Sequence, residues 1–459
     1  MSKQKLIYFL GALSVIAVGF LFLVVKPFSD KSRPNLIIIL IDTLRADHMS
    51  CYGYHRPTSP NIDRFAQRAV LFSDCFSSCP RTTQSMATIM TGRYPWNHGV
   101  RYLWDELPPE ETPLAEILSP LGYETVAVIG TDILLGKINQ GFGRVVNENK
   151  CLDAKTLTDH AIAELADIGE PYFLWIHYYD VHMSYRPPEV VFDKNYKGRF
   201  EHGIGSDNAP VSAGDLIFNN DLTAREREHV NALYDSEIYF VDRQVGRLIN
   251  FLEEKSSNNI IVITADHGES LGENNYYYAH GDLLNQASLR VPLIISGIDV
   301  GAKKVSTRVR LIDVFPTILS ALGIKLNKYH FDGVDLADYL KDRDSDLKVF
   351  AETGAALYPQ VFQAGRREVE GIAGRLRSVL CNDQKLSYFP TENGVNWELY
   401  DLKRDPAETT DLYREAADSE IRKLMSELRA IANLPRKNGR RSPLTEKDKV
   451  RLRTLGYMQ

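Results

Sequence analysis

Cysteine is scarce: Cys51, Cys75, Cys79, Cys151 and Cys381 are the only five in 459 residues. An odd, scattered set of this kind excludes a disulfide framework, though one local bridge would suit an oxidising compartment. Cys75 and Cys79 are spaced CxxxC with no second Cys or His pair close behind, which speaks against a structural zinc site. Positive charge is not in excess. Lys and Arg number 54 against 60 Asp and Glu, a net of -6, so no overall cationic field exists to hold a nucleic acid. Repeats and low-complexity segments are absent. With 44% hydrophobic and 25% charged residues, collagen-like and disordered classes are excluded as well. The length allows two or three domains, or one large α/β unit with an appendage.

Long apolar runs are also rare, and there is one. Leu6 to Val25 carries no charge, and as a helix it would span roughly the 30 Å hydrocarbon core of a bilayer. Its exit, VVKPFSDK, lacks the small-residue site at which a signal peptide is cut. The run therefore predicts an uncleaved anchor rather than a removed leader. Lys3 and Lys5 are offset by Lys26, Lys31 and Arg33, so charge leaves the orientation open. A single early anchor before a long soluble body predicts a periplasmic or otherwise extracytoplasmic bulk. The membrane partner is reached through Leu6–Val25, and no nucleic-acid partner is expected.

After a polar linker the texture alternates. NLIIILID (Asn35–Asp42), Thr125–Ile129, Tyr172–His177, Ile260–Thr264 and Pro292–Ser296 read as buried strands. Between them, helices are predicted from Ser59-Pro60 through Ala69, over Pro113–Leu118, and from about Thr223 to Leu252. In the last, Tyr234, Ile238, Val241, Val245, Leu248 and Leu252 form one apolar stripe. Such alternation predicts an α/β fold with a doubly wound, mostly parallel sheet. In these folds polar chemistry gathers at the carboxyl ends of the strands, where Asp42, His177 and Asp266 fall. From about Lys348 exposed antiparallel strands (Arg377–Tyr388, Trp397–Leu402) and an amphipathic helix (Ala416–Ala432) predict a smaller α+β subdomain. The expected division is 1–33 for anchor and linker, 34–347 for the catalytic domain, and 348–459 for the subdomain and a basic tail (Arg436, Lys437, Arg440, Arg441).

Three strand-end segments carry chemistry. Asp42 follows an apolar run, where a carboxylate is costly unless paired or metal-bound. Asp266-His267 follows IIVIT and can present an oxygen and a nitrogen to one cation. Thr82 lies in a polar turn before a short helix at about Ser85–Met90, whose first N–H groups favour an anion. Its hydroxyl is a candidate nucleophile if a metal lowers its pKa.

In this order the segments resemble the sulfatases of the alkaline phosphatase superfamily. The likeness runs from about Pro34 to Leu412 and includes PNLIIILIDTLRADHMSCYGYHRPTSPNIDRFA, TGRYPWNHGVR, HYYDVHMSYRPP, ITADHGESLGE, LRVPLIISG, LIDVFPTILSALGI and ELYDLKRDPAETTDL. The resemblance implies an alkaline-phosphatase-like fold. Asp42 and Asp266 match metal aspartates, Thr43 stands where many members carry another, and His267 takes a position that is Asn in many arylsulfatases. His182 matches the substrate or leaving-group histidine, and His280 sits where many relatives have lysine.

The chain departs from the family's C-x-P-S-R. Register from Thr91-Gly92 aligns that motif with TTQSM, so Thr82 replaces the residue oxidised to formylglycine and Met86 replaces the arginine. No formylglycine is expected. A threonine there is similar to the phosphoethanolamine and phosphoglycerol transferases. Asp42, Asp266, His267 and the Thr82 oxygen make a mixed O/N set for one divalent ion, which suits Zn²⁺ or Mn²⁺ better than Ca²⁺. The implied reaction is attack by Thr82 on an anionic ester, with His182 protonating the leaving oxygen and His280 or Arg81 holding the anion. Three readings stay open at this level. One is hydrolysis of a sulfate or phosphate ester. The second is phosphoethanolamine- or phosphoglycerol-type transfer to an envelope lipid or glycan, and the third is a non-catalytic protein that binds an anionic glycan.

Overall fold

A computed structural model describes residues 33–131, 139–147, 151–201, 203–204, 222–342, 346–353, 375–391, 394–432 and 440–441. The Leu6–Val25 run lies outside them, as do most of the basic tail and residues 202 and 205–221. Among the described residues no helix is long and apolar enough to cross a membrane.

Nine strands form the main sheet: β1 (Asn35–Ile41), β2 (Val70–Phe76), β3 (Glu124–Ile129), β4 (Arg144–Val146), β5 (Tyr172–Tyr178), β6 (Asn259–Thr264), β7 (Arg290–Ser296), β8 (Lys303–Val305) and β9 (Val309–Arg310). Their order is β8-β2-β7-β6-β1-β5-β3-β4, with β9 also on β2. β1 lies at the centre, parallel to β5 on one side and β6 on the other. All seven residues of β1 and of β5 are buried. Side chains alternate between faces, so an unbroken buried run means both faces are covered.

The sequence read Pro292–Ser296 as a further buried strand of a mostly parallel sheet without giving its direction, and β7 runs antiparallel to both β6 and β2. The reason lies in its connection. The chain leaves β6 at its carboxyl end and enters β7 from the same edge, so the whole stretch from Ala265 to Leu289 stays on the edge where Asp42 emerges. The antiparallel strand is what holds that stretch beside the site.

The helices used below are α1 (Pro60–Ala66), α2 (Thr82–Thr91), α3 (Ala154–Ala166), α4 (Ala224–Lys255), α5 (Val314–Ala321) and α6 (Asp418–Ala432). α4 begins one residue after Thr223, whose side chain and that of Glu226 close a reciprocal cap. α1 stops at Ala66 rather than Ala69. Ser59 makes no cap of its own, because the Asp242 carboxylate on α4 accepts from the backbone of Asn61 and Ile62 at 2.8–3.1 Å. β2 and α3 have no counterpart in the sequence reading.

A second sheet, β10 (Val349–Thr353), β11 (Leu376–Cys381), β12 (Gln384–Thr391) and β13 (Gly394–Asp401), is antiparallel throughout. The single strand expected over Arg377–Tyr388 is a hairpin. Asn382 and Asp383 both take positive φ (50° and 64°), the conformation a two-residue turn of matching twist requires. Nor is the sheet exposed. Val379, Leu386 and Leu399 pack on Ile421, Leu424 and Leu428 of α6, while Leu376, Leu380 and Phe389 pack on Phe76, Leu284 and Leu289 of the main body. Cys51, Cys75, Cys79, Cys151 and Cys381 are all free thiols, so the local bridge does not form.

Candidate active site

Asp42 follows β1 directly and is completely buried. Its Oδ2 accepts from His177 Nε2 at 3.1 Å, a residue of the adjacent β5. Its Oδ1 has no hydrogen-bond partner. Asp266, two residues beyond β6, is equally buried. Its Oδ1 accepts from the backbone N–H of Thr43 (3.3 Å) and of His267 (2.9 Å), whereas Oδ2 has no hydrogen-bond partner. Thr43, held at φ 54°, keeps a buried hydroxyl without a partner.

His267 Nδ1 lies 2.9 Å from the carbonyl of Gly268. A carbonyl only accepts, so Nδ1 carries the proton and Nε2 presents a lone pair. That Nε2 lies 3.2 Å from Asp266 Oδ2, 3.9 Å from Asp42 Oδ1 and 3.2 Å from Thr82 Oγ1. Ligand atoms of Asp42, Asp266 and His267 all fall within 4.8 Å of one another. Two buried carboxylates, each with an unsatisfied oxygen aimed at an imidazole lone pair, are the electrostatic counterpart of a bound cation. Burial, and next the neighbouring Asp266, push Asp42 well above the usual carboxylate range. The donor set fits one divalent ion with mixed O/N ligands.

Thr82 is the first residue of α2, which begins three residues earlier than the sequence suggested. β2 ends at the sheet's carboxyl edge and delivers this helix start to the cluster. Cys79 is buried in the preceding turn, where Ser77 ties both its N–H and its carbonyl, and Met86 is a core residue. Thr82 is thus the side chain at the helix start that meets His267.

Two further imidazoles stand over the cluster. The His280 ring lies 4.3 Å from that of His267 and 4.9 Å from that of His182. His182 Nδ1 donates to the Met183 carbonyl at 2.5 Å, which leaves Nε2 as its acceptor. Burial lowers its pKa to about 3. Burial also pushes His280 well below the ordinary range, assisted by His267 and Arg81. Arg81 is held by Asp282 at 3.0 Å.

Two residues at the site had no role in the sequence reading. Glu269, fully buried, binds His280 Nδ1 at 2.8 Å and accepts from the Tyr185 hydroxyl at 2.9 Å. Its signal was its place in DHGES, three residues after Asp266 in a turn that never leaves the edge. His177 was noted only as a strand-end residue, and its pairing with Asp42 follows from the β1–β5 register.

The sulfatase family model matches residues 34–324. The chain belongs to the sulfatase family. A second model, for the C-terminal region of N-sulphoglucosamine sulphohydrolase, matches residues 272–433. As a sulfatase-family enzyme the chain is similar to an N-acetylglucosamine-6-O-sulfatase of Bacteroides thetaiotaomicron, 24% identical over 87% of this chain and 86% of the relative. It is also similar to an ulvan-active sulfatase of Formosa agariphila, 25% identical over 70% and 68%. Among solved structures, the phosphonate monoester hydrolase of Agrobacterium radiobacter shares the fold with a TM-score of 0.68 and 20% identity, over 87% of this chain and 96% of that one. A protein solved with its substrate D-glucosamine-2-N,6-O-disulfate gives 0.69 and 20%, over 87% and 97%.

Proposed function

We propose that this sulfatase-family chain is a metal-dependent hydrolase of a sulfate or phosphate ester, with Thr82 as its nucleophile. One observation carries the reading: Thr82 Oγ1 sits at a helix start, 3.2 Å from the Nε2 lone pair of His267, beside two buried carboxylates with unsatisfied oxygens. A single divalent ion on Asp42, Asp266 and His267, Zn²⁺ or Mn²⁺ by donor type, would supply Lewis acidity to the Thr82 hydroxyl and to the ester. His177 holds Asp42 in place, and the Gly268 carbonyl fixes the His267 tautomer. Thr82 gives its proton to solvent, Oγ1 bonds to the central atom as the bond to the leaving oxygen breaks, and that oxygen takes a proton from His182.

His182 and His280 are neutral before an ester arrives, because burial disfavours their charge. An ester anion beside the two rings favours the protonated forms. Glu269 behind His280 stabilises the imidazolium there, as a carboxylate does in any oriented carboxylate–imidazole pair. Threonine has one hydroxyl, so a Thr82 adduct lacks the second oxygen with which a formylglycine hydrate expels sulfate. Water must complete the reaction, and phosphorus tolerates that step better than sulfur. The sulfatases among the relatives argue for sulfate esters, and the phosphonate monoester hydrolase for phosphorus. The apolar Leu6–Val25 run supports action at a membrane, outside the cytoplasm.

The test compares wild type with Thr82→Ala and Asp266→Asn on matched aryl sulfate, phosphate monoester, phosphonate monoester and phosphodiester substrates, with Zn²⁺ or Mn²⁺ supplied. Both variants should lose at least about 10³-fold in kcat and keep the wild-type circular dichroism. Bound metal should be stoichiometric in wild type and Thr82→Ala but not in Asp266→Asn. Full turnover by Thr82→Ala would mean that water attacks directly. Appearance of the group on an added alcohol, in place of free anion, would identify a transferase.

A further inference from the structure

Next to the proposed site, basic charge is concentrated in a way the reaction does not use. Arg101 forms a two-pronged pair with Glu352, Nε and one terminal nitrogen each 3.0 Å from a carboxylate oxygen. Arg377 approaches the same carboxylate at 3.6 Å. Arg375 is the third guanidinium around Glu352, and it helps hold that carboxyl below its ordinary range. Glu352 therefore faces three guanidiniums, and the other acid against this segment is the buried Asp105, whose carboxylate accepts from the N–H groups of Arg101 and Tyr102 at 2.8 and 3.0 Å. Among the described residues, Arg375 forms no ion pair within 4 Å and acts on Glu352 from farther away. Its contacts are the Arg101 carbonyl, at 3.4 Å, and the face of Tyr102, 4.8 Å from the ring centre.

Such a surplus is costly inside a protein unless an anion visits it. The cluster touches the first turn of α2. Gln84 donates to the Arg101 carbonyl at 3.1 Å and Thr83 to that of Leu103 at 2.8 Å. Thr353, which follows Glu352 on β10, faces Arg81 at 3.5 Å. Arg101 and Arg375 retain 7% and 5% of their exposure, close to the 6% of Thr82 and 7% of His280. Arg375 thus keeps a small solvent-facing edge, as Thr82 does. Tyr102 and Trp104, with rings 6.0 Å apart and nearly parallel, stand at its side.

We infer that Arg375, with Arg101 and Tyr102, forms a subsite for a second anionic group on the substrate, which makes the preferred ester polyanionic. This rests on the ester-hydrolase reading for what occupies Thr82. The subsite acts through guanidinium pairing with a sulfate, phosphate or carboxylate.

Calorimetry of the metal-loaded chain with benzenesulfonate, benzene-1,3-disulfonate and biphenyl-4,4′-disulfonate reads the subsite without turnover. At least one disulfonate should bind about tenfold or more tighter than the monosulfonate, and Arg375→Gln should bring it down to the monosulfonate level. Equal affinity of all three for wild type, or a preference that persists in Arg375→Gln, overturns the inference. The wild-type ratio needs no variant, so misfolding of Arg375→Gln leaves the test intact. Preference for a disulfonate together with no turnover of any ester would sink the hydrolase reading alone and still support the subsite.

Discussion

His98 shows how a buried imidazole becomes an acid-sensitive point. Its Nδ1 accepts from the Val100 N–H at 3.1 Å and its Nε2 donates to the Thr88 hydroxyl at 3.2 Å. Both nitrogens are satisfied only in the neutral ring, and burial lowers the pKa to about 3 from 6.5. Between those values the unfolded chain binds the proton and the folded chain does not, so stability rises with pH across the window and is lost as pH falls from 6.5. About 1.4 kcal/mol per pH unit is the expected slope from this residue. Urea unfolding at pH 6.5 and 5.0 should show about 2 kcal/mol less of this loss in His98→Gln than in wild type, whatever the variant's own stability. Equal slopes would remove His98 from the account. At this same scale Asp42, Asp266 and His267 were legible, because a charged side chain ending an apolar strand has few bland explanations. Glu269 was not, since its partners Tyr185 and His280 come from other segments and only folding brings them together.

Among the elements, strands buried on both faces announced themselves as apolar runs, and β1, β5 and β6 lie within a residue or so of where the pattern put them. The direction of β7 was not legible, because a run such as PLIIS reads the same whichever way it crosses a sheet. The hairpin between β11 and β12 was missed for the opposite reason: its turn is only Asn382-Asp383, inside what looks like one long strand. The start of α2 at Thr82 depends on where β2 ends, and β2 had not been read at all. The turn after β6 is the tightest part of the site. A Cβ on Gly268 would lie 2.0 Å from the Ala287 carbonyl oxygen, while the Gly268 N–H donates to Ser288 at 2.9 Å. Gly268→Ala must therefore displace either this turn or the chain before β7, at a cost of about 1–3 kcal/mol. Since the Gly268 carbonyl orients His267, kcat should fall by about 10² with KM less affected. A variant with wild-type kcat would show that the turn yields without moving the imidazole.

At the scale of the whole molecule, the two sheets are joined by buried charge as well as apolar packing. Lys385 of β12 pairs with Glu408, both about 4% exposed, and Glu408 also accepts from the Gln286 N–H at 2.7 Å, just ahead of β7. Arg308 bridges Asp74 on β2 to Asp383 in the β11–β12 turn, at 2.9 and 2.7 Å. Breaking a buried pair strands the remaining charge and costs about 3–5 kcal/mol. Glu408→Gln should accordingly make the segment from β11 to α6 the first to be cut in limited proteolysis, ahead of the main sheet. Uniform protection in the variant would mean that packing on Phe76 and Leu289 suffices to dock it. The presence of a second, smaller unit was legible in the change of texture after Lys348. Its docking was not, because the residues that secure it, from Asp74 to Glu408, are distributed over five separate parts of the chain.

The central position of β1 also has a consequence in time. Thr43 and Asp266 touch although they stand 223 positions apart in the chain, and the cluster of Asp42, Asp266 and His267 closes only when β6 has taken its place beside β1. A ribosome must release more than half of the polypeptide before the two carboxylates can meet. The cluster is for that reason a product of the paired central strands and of no local segment of the chain.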